Sequence, residues 1–342
     1  MILVTGGTGL VGSHLLFDLV SKGKKVRALK RKTSNTQLVR QTFGYYSEIP
    51  DELFNRIEWL DGDMLDSFSL EDALVGIGEV YHCAALVSFR KSDRKSMQDI
   101  NVKGTRNLVN ACLDANIRKF CMVSSVAALG TPAEGENTVT ENTPWRPEDK
   151  RSAYSISKFN SELEVWRGIE EGLDAVIVNP SVILGPGQWN KGSSLLFSTV
   201  AKGLKYYTKG ITGYVDVRDV SKTMIQLMES DIVNERFILN SEDCTYEFIF
   251  KTIAKYLGIA GPTKYANRKM TEIGWRLASL QKVFLFKQSG FTKETARAAH
   301  NVKYFTNQKI KNSLDFEFIP IEQSITDMAK HYPKSHAKEA KN

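Results

Sequence analysis

The sequence predicts an α/β protein, a doubly wound parallel sheet followed by a smaller C-terminal substrate-binding region. Three observations carry that expectation. The chain opens on a short apolar strand that runs into a glycine turn, with Gly6, Gly9 and Gly12 spaced G-x-x-G-x-x-G, and then into a helical run at 13–20. Strand-like and helix-like stretches then alternate over most of the next 160 residues, the pattern of a parallel sheet with helices on both faces. Finally, 342 residues with 42 % hydrophobic side chains bury a full core, as one large domain with an appendage or as two domains.

The opening turn has a chemical use. A strand that opens directly into a helix presents backbone N–H groups and the positive end of the helix dipole, which suits a pyrophosphate. Small residues let the phosphate approach and let the helix lie close to the strand. Thr5, Gly6, Gly9, Leu10, Val11 and Gly12 are therefore expected to bind a dinucleotide.

The first helix ends at Gly23, and residues 25–30 read as the second strand, closing on Lys30, Arg31 and Lys32. In a doubly wound fold this end lies beside the adenosine ribose, where an acidic residue suits the free hydroxyls of NAD. The basic pair Lys30 and Arg31 suits a 2′-phosphate instead, so NADPH is favoured without excluding NAD. The same residues also read as a solvated basic turn. Residues 35–56 read as a polar loop or short helix, and 56–63 as a third strand. At its end Asp63 either accepts from the adenine amino group, with Met64 over the ring, or caps the next helix. That helix carries Phe68, Leu70, Ala73 and Leu74, and residues 79–85 follow as a fourth strand whose small Ala84 and Ala85 let a cofactor lie close. A long helix over 97–115 contains Asn101, and residues 119–125 form the fifth strand, ending in Ser124 and Ser125.

Further on, Tyr154 and Lys158 stand four apart in a helical stretch that continues through Phe159, Leu163 and Trp166, which puts both on one face. A phenol is ordinarily protonated near neutral pH, and a nearby ammonium stabilises its phenolate, so the tyrosine can exchange a proton with a carbonyl or alcohol oxygen. Ser125 can orient that oxygen. Asn101 supports the local helix geometry or retains a water that links Lys158 to a proton relay.

Together these residues resemble the extended short-chain dehydrogenase/reductase superfamily, and within it dihydroflavonol reductase-like and 3β-hydroxysteroid dehydrogenase-like members. The matching signals are the glycine turn, Asp63, His82 to Ala85, Asn101, Ser125, Tyr154 with Lys158, the Asn179 to Pro186 stretch and the Tyr214 to Val220 stretch. The resemblance implies a seven-stranded Rossmann-like sheet with Ser125, Tyr154 and Lys158 catalytic. It also implies that Lys158 bonds the nicotinamide ribose while the Asn179–Pro180 turn borders the nicotinamide, with Pro180 and Val182 among the cofactor-binding residues. Val126, Ala127 and Ala128 follow Ser125 where sugar-nucleotide dehydratases carry an acidic pair, and Thr212 and Gly213 stand where nucleotide-sugar epimerases often have Arg-Asp. Both differences lean toward a reductase.

Residues 174–180 read as a returning strand, and Gly185, Pro186 and Gly187 open a connection to the substrate side. A short helix at 194–201, a rim turn at 206–213 and a helix carrying Val220, Met224 and Leu227 follow, with Arg218 and Asp219 pairing or capping that helix. Residues 236–240 read as the last core strand, and 246–257 as a helix. The apolar cluster Trp275, Leu277, Leu280, Val283, Phe284, Leu285 and Phe286 closes a substrate pocket, makes a homodimer contact, packs on the main domain or lies at a membrane surface. The expected organisation is a cofactor-binding core at 1–180 with returning elements near 214–240, a substrate-binding region mainly at 181–213 and 241–330, and a flexible tail at 331–342.

Composition excludes several classes. The formal charge of +7 is scattered and partly belongs to the tail, which argues against nucleic acid. No 18-residue charge-free apolar stretch or signal-peptide core is present, so the expectation is a cytoplasmic protein without stable membrane insertion. Cys83, Cys112, Cys121 and Cys244 stand singly, and the five histidines lack ligand spacing, so no disulfide framework and no metal are expected. The expected activity is NADPH-dependent reduction of an aldehyde or ketone on a moderately apolar small molecule, or the reverse oxidation of its alcohol. A nucleotide-sugar epimerase and a non-catalytic cofactor-sensing module are the alternatives.

Overall fold

The computed structural model describes residues 1–146, 151–285 and 292–333. The first half follows the expected alternation: β1 (Ile2–Thr5), α1 (Leu10–Ser21), β2 (Val26–Lys30), α2 (Gln37–Gly44), α3 (Pro50–Asn55), β3 (Ile57–Asp61), α4 (Ser67–Leu74) and β4 (Glu79–His82). Then come α5 (Arg94–Met97), a π-helical turn (Gln98–Lys103), α6 (Gly104–Asp114), β5 (Lys119–Val123), a 3₁₀ turn (Val126–Ala128), the short β6 (Thr138–Val139), α7 (Ala153–Glu170) and β7 (Ala175–Pro180). β7, β11 (Glu235–Leu239) and the first five strands form a sheet in the order β11-β7-β5-β4-β1-β2-β3, and each neighbouring pair is parallel.

Period-two alternation splits the core between the two faces of this sheet. Val4, Tyr81, Cys121 and Val176 pack with Leu15, Leu16 and Leu19 of α1, whereas Leu3, Val80, Phe120 and Ile177 pack with Leu108 of α6 and Val165 of α7. Because every strand is parallel, all the C-terminal ends meet at one edge. The glycine turn, Ser124 and Ser125 therefore share that edge.

The remaining chain builds a smaller region from β8 (Val182–Leu184), α8 (Leu195–Ala201), β9 (Tyr206–Tyr207), β10 (Ile211–Asp216), α9 (Val217–Glu229), β12 (Glu242–Thr245), α10 (Tyr246–Leu257) and β13 (Lys264–Tyr265). After these come α11 (Arg268–Leu285), α12 (Lys293–Ala298), β14 (Tyr304–Phe305), α13 (Gln308–Leu314) and α14 (Ile321–His331). A second small sheet, β12-β10-β8, carries a core of Trp189, Phe197, Tyr214, Ile249 and Ile325. α9 returns to the main core.

Several boundaries differ from the sequence expectation. β4 stops at His82, because the chain must turn there to meet the backbone of Gly6. The expected rim turn at 206–213 is instead two strand segments, one paired with β13 and one with β12 and β8. Arg218 and Asp219 do not pair: Asp216 caps α9, Arg218 folds back onto Asp216 and reaches Asp327, and Asp219 accepts from the Ile319 N–H. Ile310 of α13 packs into the main core, so not all of 241–330 sits on the substrate side. Packing also continues past 331, since Tyr332 is buried against Trp189; residues 334–342 of the expected tail lie outside the described residues. The side chains of Leu277, Leu280, Val283, Phe284 and Leu285, and all of Phe286, likewise lie outside what is described. No helix among the described residues is long and apolar enough to cross a membrane.

The contact between β1 and α1 yields a stability prediction. A Cβ at Gly12 would fall 2.3 Å from the Gly6 carbonyl oxygen, a backbone atom that cannot move without shifting the turn. Gly12→Ala is therefore expected to lower the unfolding free energy by about 1–3 kcal/mol in urea titration. A variant as stable as wild type would show that the helix does not need this approach.

Candidate active site

Gly6 turns the chain out of β1 with φ +69°, and a Cβ there would lie 2.5 Å from the Ala84 nitrogen. The bare backbone lets the turn sit against the segment after β4. Gly9 N–H then bonds the Gly6 carbonyl at 2.9 Å and α1 starts at Leu10. The first-turn N–H groups of Leu10, Val11 and Gly12 have no preceding helical carbonyl, and α1 begins just past the C-terminal end of β1, as an anion site needs. The Leu10 side chain lies against Gly185 and Gly187, closing the turn on its other side.

A buried polar chain runs behind the turn. Thr105 gives its proton to the Asn101 carbonyl at 2.5 Å, so its oxygen accepts from Nε2 of His82 at 2.9 Å. Nδ1 of His82 then accepts from the Thr5 hydroxyl at 2.7 Å, and the Thr5 oxygen accepts from the Ala84 N–H. Burial pulls the His82 pKa down to about 3, which keeps the ring neutral and this assignment fixed.

Asn101 sits in the π-helical turn that interrupts the long helix expected over 97–115. There its Oδ1 accepts from Leu86 N–H at 2.7 Å, and Nδ2 donates to the Leu86 carbonyl and to Ser157 Oγ, each at 3.0 Å. Its main-chain carbonyl also accepts from Ser161 at 2.7 Å. Asn101 thus pins the loop after β4 to α7.

Ser125 follows β5, and its Oγ accepts from Ala127 N–H at 3.1 Å as the cap of the 3₁₀ turn. α7 is started by Ser152, whose side chain accepts from Ser155 N–H, and this places Tyr154 in the first turn. Burial pushes the Tyr154 phenol up, and a hydrogen bond with Ser125 opposes that push. The structure therefore brings Ser125 and Tyr154 together. Lys158 lies one turn on, buried, its pKa pulled to about 8 by loss of water and partly restored by the Glu162 carboxylate. Its Nζ donates to the Val123 carbonyl at 2.8 Å. The expected stabilisation of the phenolate by Lys158 has no counterpart in this geometry, because a buried ammonium takes the nearest acceptor.

The adenosine side shows a further difference. Lys30 faces Asp61 across the β2–β3 register and bonds it, while Arg31 is exposed at the same corner. Asp63 is exposed and its Oδ1 accepts from Leu65 N–H at 2.9 Å in a local turn, while the cap of α4 is Asp66, whose side chain accepts from Phe68 N–H. Met64 is half-buried beside Gly104. Ala84 is half-buried and Ala85 exposed at the edge; Pro180 ends β7 and Val182 opens β8.

Several contributors were not legible in the sequence. Val87 and Phe89 are exposed in the loop that Asn101 pins, and the Phe89 ring stands edge-on to Tyr154 at 5.8 Å. Ser124 Oγ, Asn179 Oδ1 and Ser181 Oγ are buried at the same sheet edge without a hydrogen-bond partner among the described residues. Orphaned polar atoms beside an open helix N-terminus fit a polar dinucleotide at this edge. A cleft of about 290 Å³ lies elsewhere, between α7 and β11, where Glu162 and Arg236 form part of its wall. Among the described residues no group of three or more His, Cys, Asp or Glu could hold a metal ion. The four cysteines are unpaired.

Residues 2–239 match the model of the NAD dependent epimerase/dehydratase family. The chain is similar to sterol demethylase protein B of Methylococcus capsulatus, at 33 % identity over 76 % of this chain and 75 % of that one. A putative dihydroflavonol 4-reductase of Synechocystis is 30 % identical over 76 % of this chain and 73 % of its own. In three dimensions the chain resembles the crystal structure of gox2253, with a TM-score of 0.80, 29 % identity and 98 % of both chains covered.

The neutral, buried His82 sets a pH dependence. Its folded pKa of about 3 lies below the ordinary 6.5, so between these values the unfolded chain holds the extra proton and stability falls as pH falls. His14, lowered to about 4 by burial, acts with the same sign. In urea unfolding at a series of pH values, His82→Gln should be less stable at neutral pH and should lose stability more gently toward pH 4. An unchanged slope would rule out His82 as a source of the acid sensitivity.

Proposed function

The chain belongs to the NAD dependent epimerase/dehydratase family, and so to the NAD(P)-binding enzymes of the extended short-chain dehydrogenase/reductase superfamily, and from that premise we propose that it reduces an aldehyde or ketone on a moderately apolar small molecule with NADPH. The observation that carries this reading is the exposed Phe89 ring standing edge-on to Tyr154, beside exposed Val87. A substrate reaching the phenol meets apolar surface there. The similarity to a protein named as a putative dihydroflavonol 4-reductase supports it.

When bound, the nicotinamide supplies the hydride. The turn from Gly6 to Gly12, with the N–H groups of Leu10 and Val11, would hold the pyrophosphate, and Thr5 would fix the turn. Arg31, with Lys30 already engaged by Asp61, would attract a 2′-phosphate. Asp63 and Met64 would lie at the adenine, and Ala84, Ala85, Pro180 and Val182 along the remaining length. Ser125 would orient the carbonyl oxygen and Tyr154 would donate its proton to it. Lys158 would hold the ribose hydroxyls and return a proton to the tyrosine, and Asn101 would hold the loop that carries Phe89.

A second reading is supported by the family model itself, which names epimerases and spans residues 2–239. In a nucleotide-sugar epimerase the same tyrosine removes the proton and then returns it, and no cofactor is consumed.

A panel of carbonyl compounds and nucleotide sugars, assayed with NADPH and NADH in parallel for cofactor oxidation and for product, separates the readings. The proposal expects carbonyl-dependent NADPH oxidation that falls by about 10²–10⁴ in Tyr154→Phe. Equal rates for the two proteins would overturn the role of Tyr154. Sugar conversion without net oxidation would transfer the site to the second reading, and tight cofactor binding with no turnover across the panel would favour a sensing module. Arg31→Ala should raise KM for NADPH roughly tenfold and leave that for NADH unchanged; an equal change for both would remove Arg31 from the 2′-phosphate.

A further inference from the structure

Glu162 stands on the same face of α7 as Tyr154 and Lys158, one turn beyond the lysine, and is almost completely buried. A buried carboxylate is costly unless it is paired and hydrogen-bonded. Both of its oxygens are used. Oε2 meets Nη1 of Arg236, from β11, at 3.2 Å, and Oε1 accepts from Nδ2 of Asn179. Asn179 lies on β7, completely buried, and the same Nδ2 donates to the Ser125 carbonyl at 3.0 Å. Arg236 is held in turn by the Glu141 carbonyl. The chain of contacts runs from an arginine on the last strand of the sheet to the serine beside the tyrosine.

We propose that Glu162 is a positioning residue: braced by Arg236, it aims the Asn179 carboxamide so that the Ser125 main chain is gripped and its hydroxyl faces Tyr154. This rests on the roles given above to Ser125 and Tyr154. A second effect follows from the same placement. The carboxylate favours the charged form of Lys158 against its burial. The other groups acting on the ammonium are the Cys83 thiol and the His82 ring from the β4 end, and burial holds both in their neutral forms. Glu162 is the charged one among them.

The test uses the full-length protein with Glu162→Gln, which keeps the shape, and Glu162→Asp, which keeps the charge. The proposal expects Glu162→Gln to lower kcat by about 10- to 100-fold while the cofactor Kd holds. The alkaline limb of the kcat profile should move about one pH unit toward acid, since removing the carboxylate lowers the pKa of a lysine that must be protonated. Glu162→Asp should return that limb to its wild-type position. Lysine labelled with ¹³C at Cε, with Lys158 assigned by its loss in Lys158→Arg, gives a readout that needs no substrate. Its titration midpoint, about 8 in wild type, should fall in Glu162→Gln. Wild-type kcat with an unmoved midpoint in that variant would overturn the proposal, and so would a kcat loss matched only by a loss of folded protein. If wild type converts nucleotide sugars and reduces no carbonyl, the reductase reading fails, and the same Glu162 comparison is made in the sugar reaction.

Discussion

Backbone meets backbone at the end of β1, where Gly6 faces the Ala84 nitrogen and Gly12 faces the Gly6 carbonyl at distances that leave no room for a Cβ. That contact sets how far α1 stands from the sheet, and so where its free N–H groups point. It also draws the segment after β4 inward, so that Thr5 and His82 share a hydrogen bond. A side chain at Gly6 would push the turn off the segment after β4, and one at Gly12 would push α1 off the turn.

From there the site is held by buried polar groups. The Thr5–His82–Thr105–Asn101 chain links the glycine turn to the π-helical turn, and Asn101 carries the link across to the loop bearing Phe89 and to Ser157 on α7. Such networks are stiff when every member is satisfied. α7 is the common support, presenting Tyr154, Lys158 and Glu162 along one face. Desolvation raises the phenol and lowers the ammonium, which keeps the phenol protonated and brings the lysine toward neutral pH.

Much of this was legible in the sequence because it is local. The glycine spacing, the apolar strands and the four-residue interval between Tyr154 and Lys158 depend on nothing beyond a helical turn or a strand repeat. What was not legible depends on register. Lys30 is engaged by Asp61 because β2 and β3 align those two residues, and neither strand alone reveals it. The π-helical turn at Asn101 hides within a pattern that reads as continuous helix. Glu162 looks like an ordinary helical carboxylate until β7 and β11 bring Asn179 and Arg236 to it. Its spacing from Lys158 was the available signal, and only burial gave that spacing meaning.

In the proposed reaction, hydride moves between cofactor and substrate carbon at the Ser125–Tyr154 edge and stays on the product. Single-turnover reaction with NADPH deuterated at nicotinamide C4, followed by mass spectrometry of the product, tests it most directly. The proposed reduction places deuterium, delivered from one face of the nicotinamide, on the new carbinol carbon and leaves stoichiometric oxidised cofactor. Product formed without deuterium, with the cofactor returned in its original state, would contradict it.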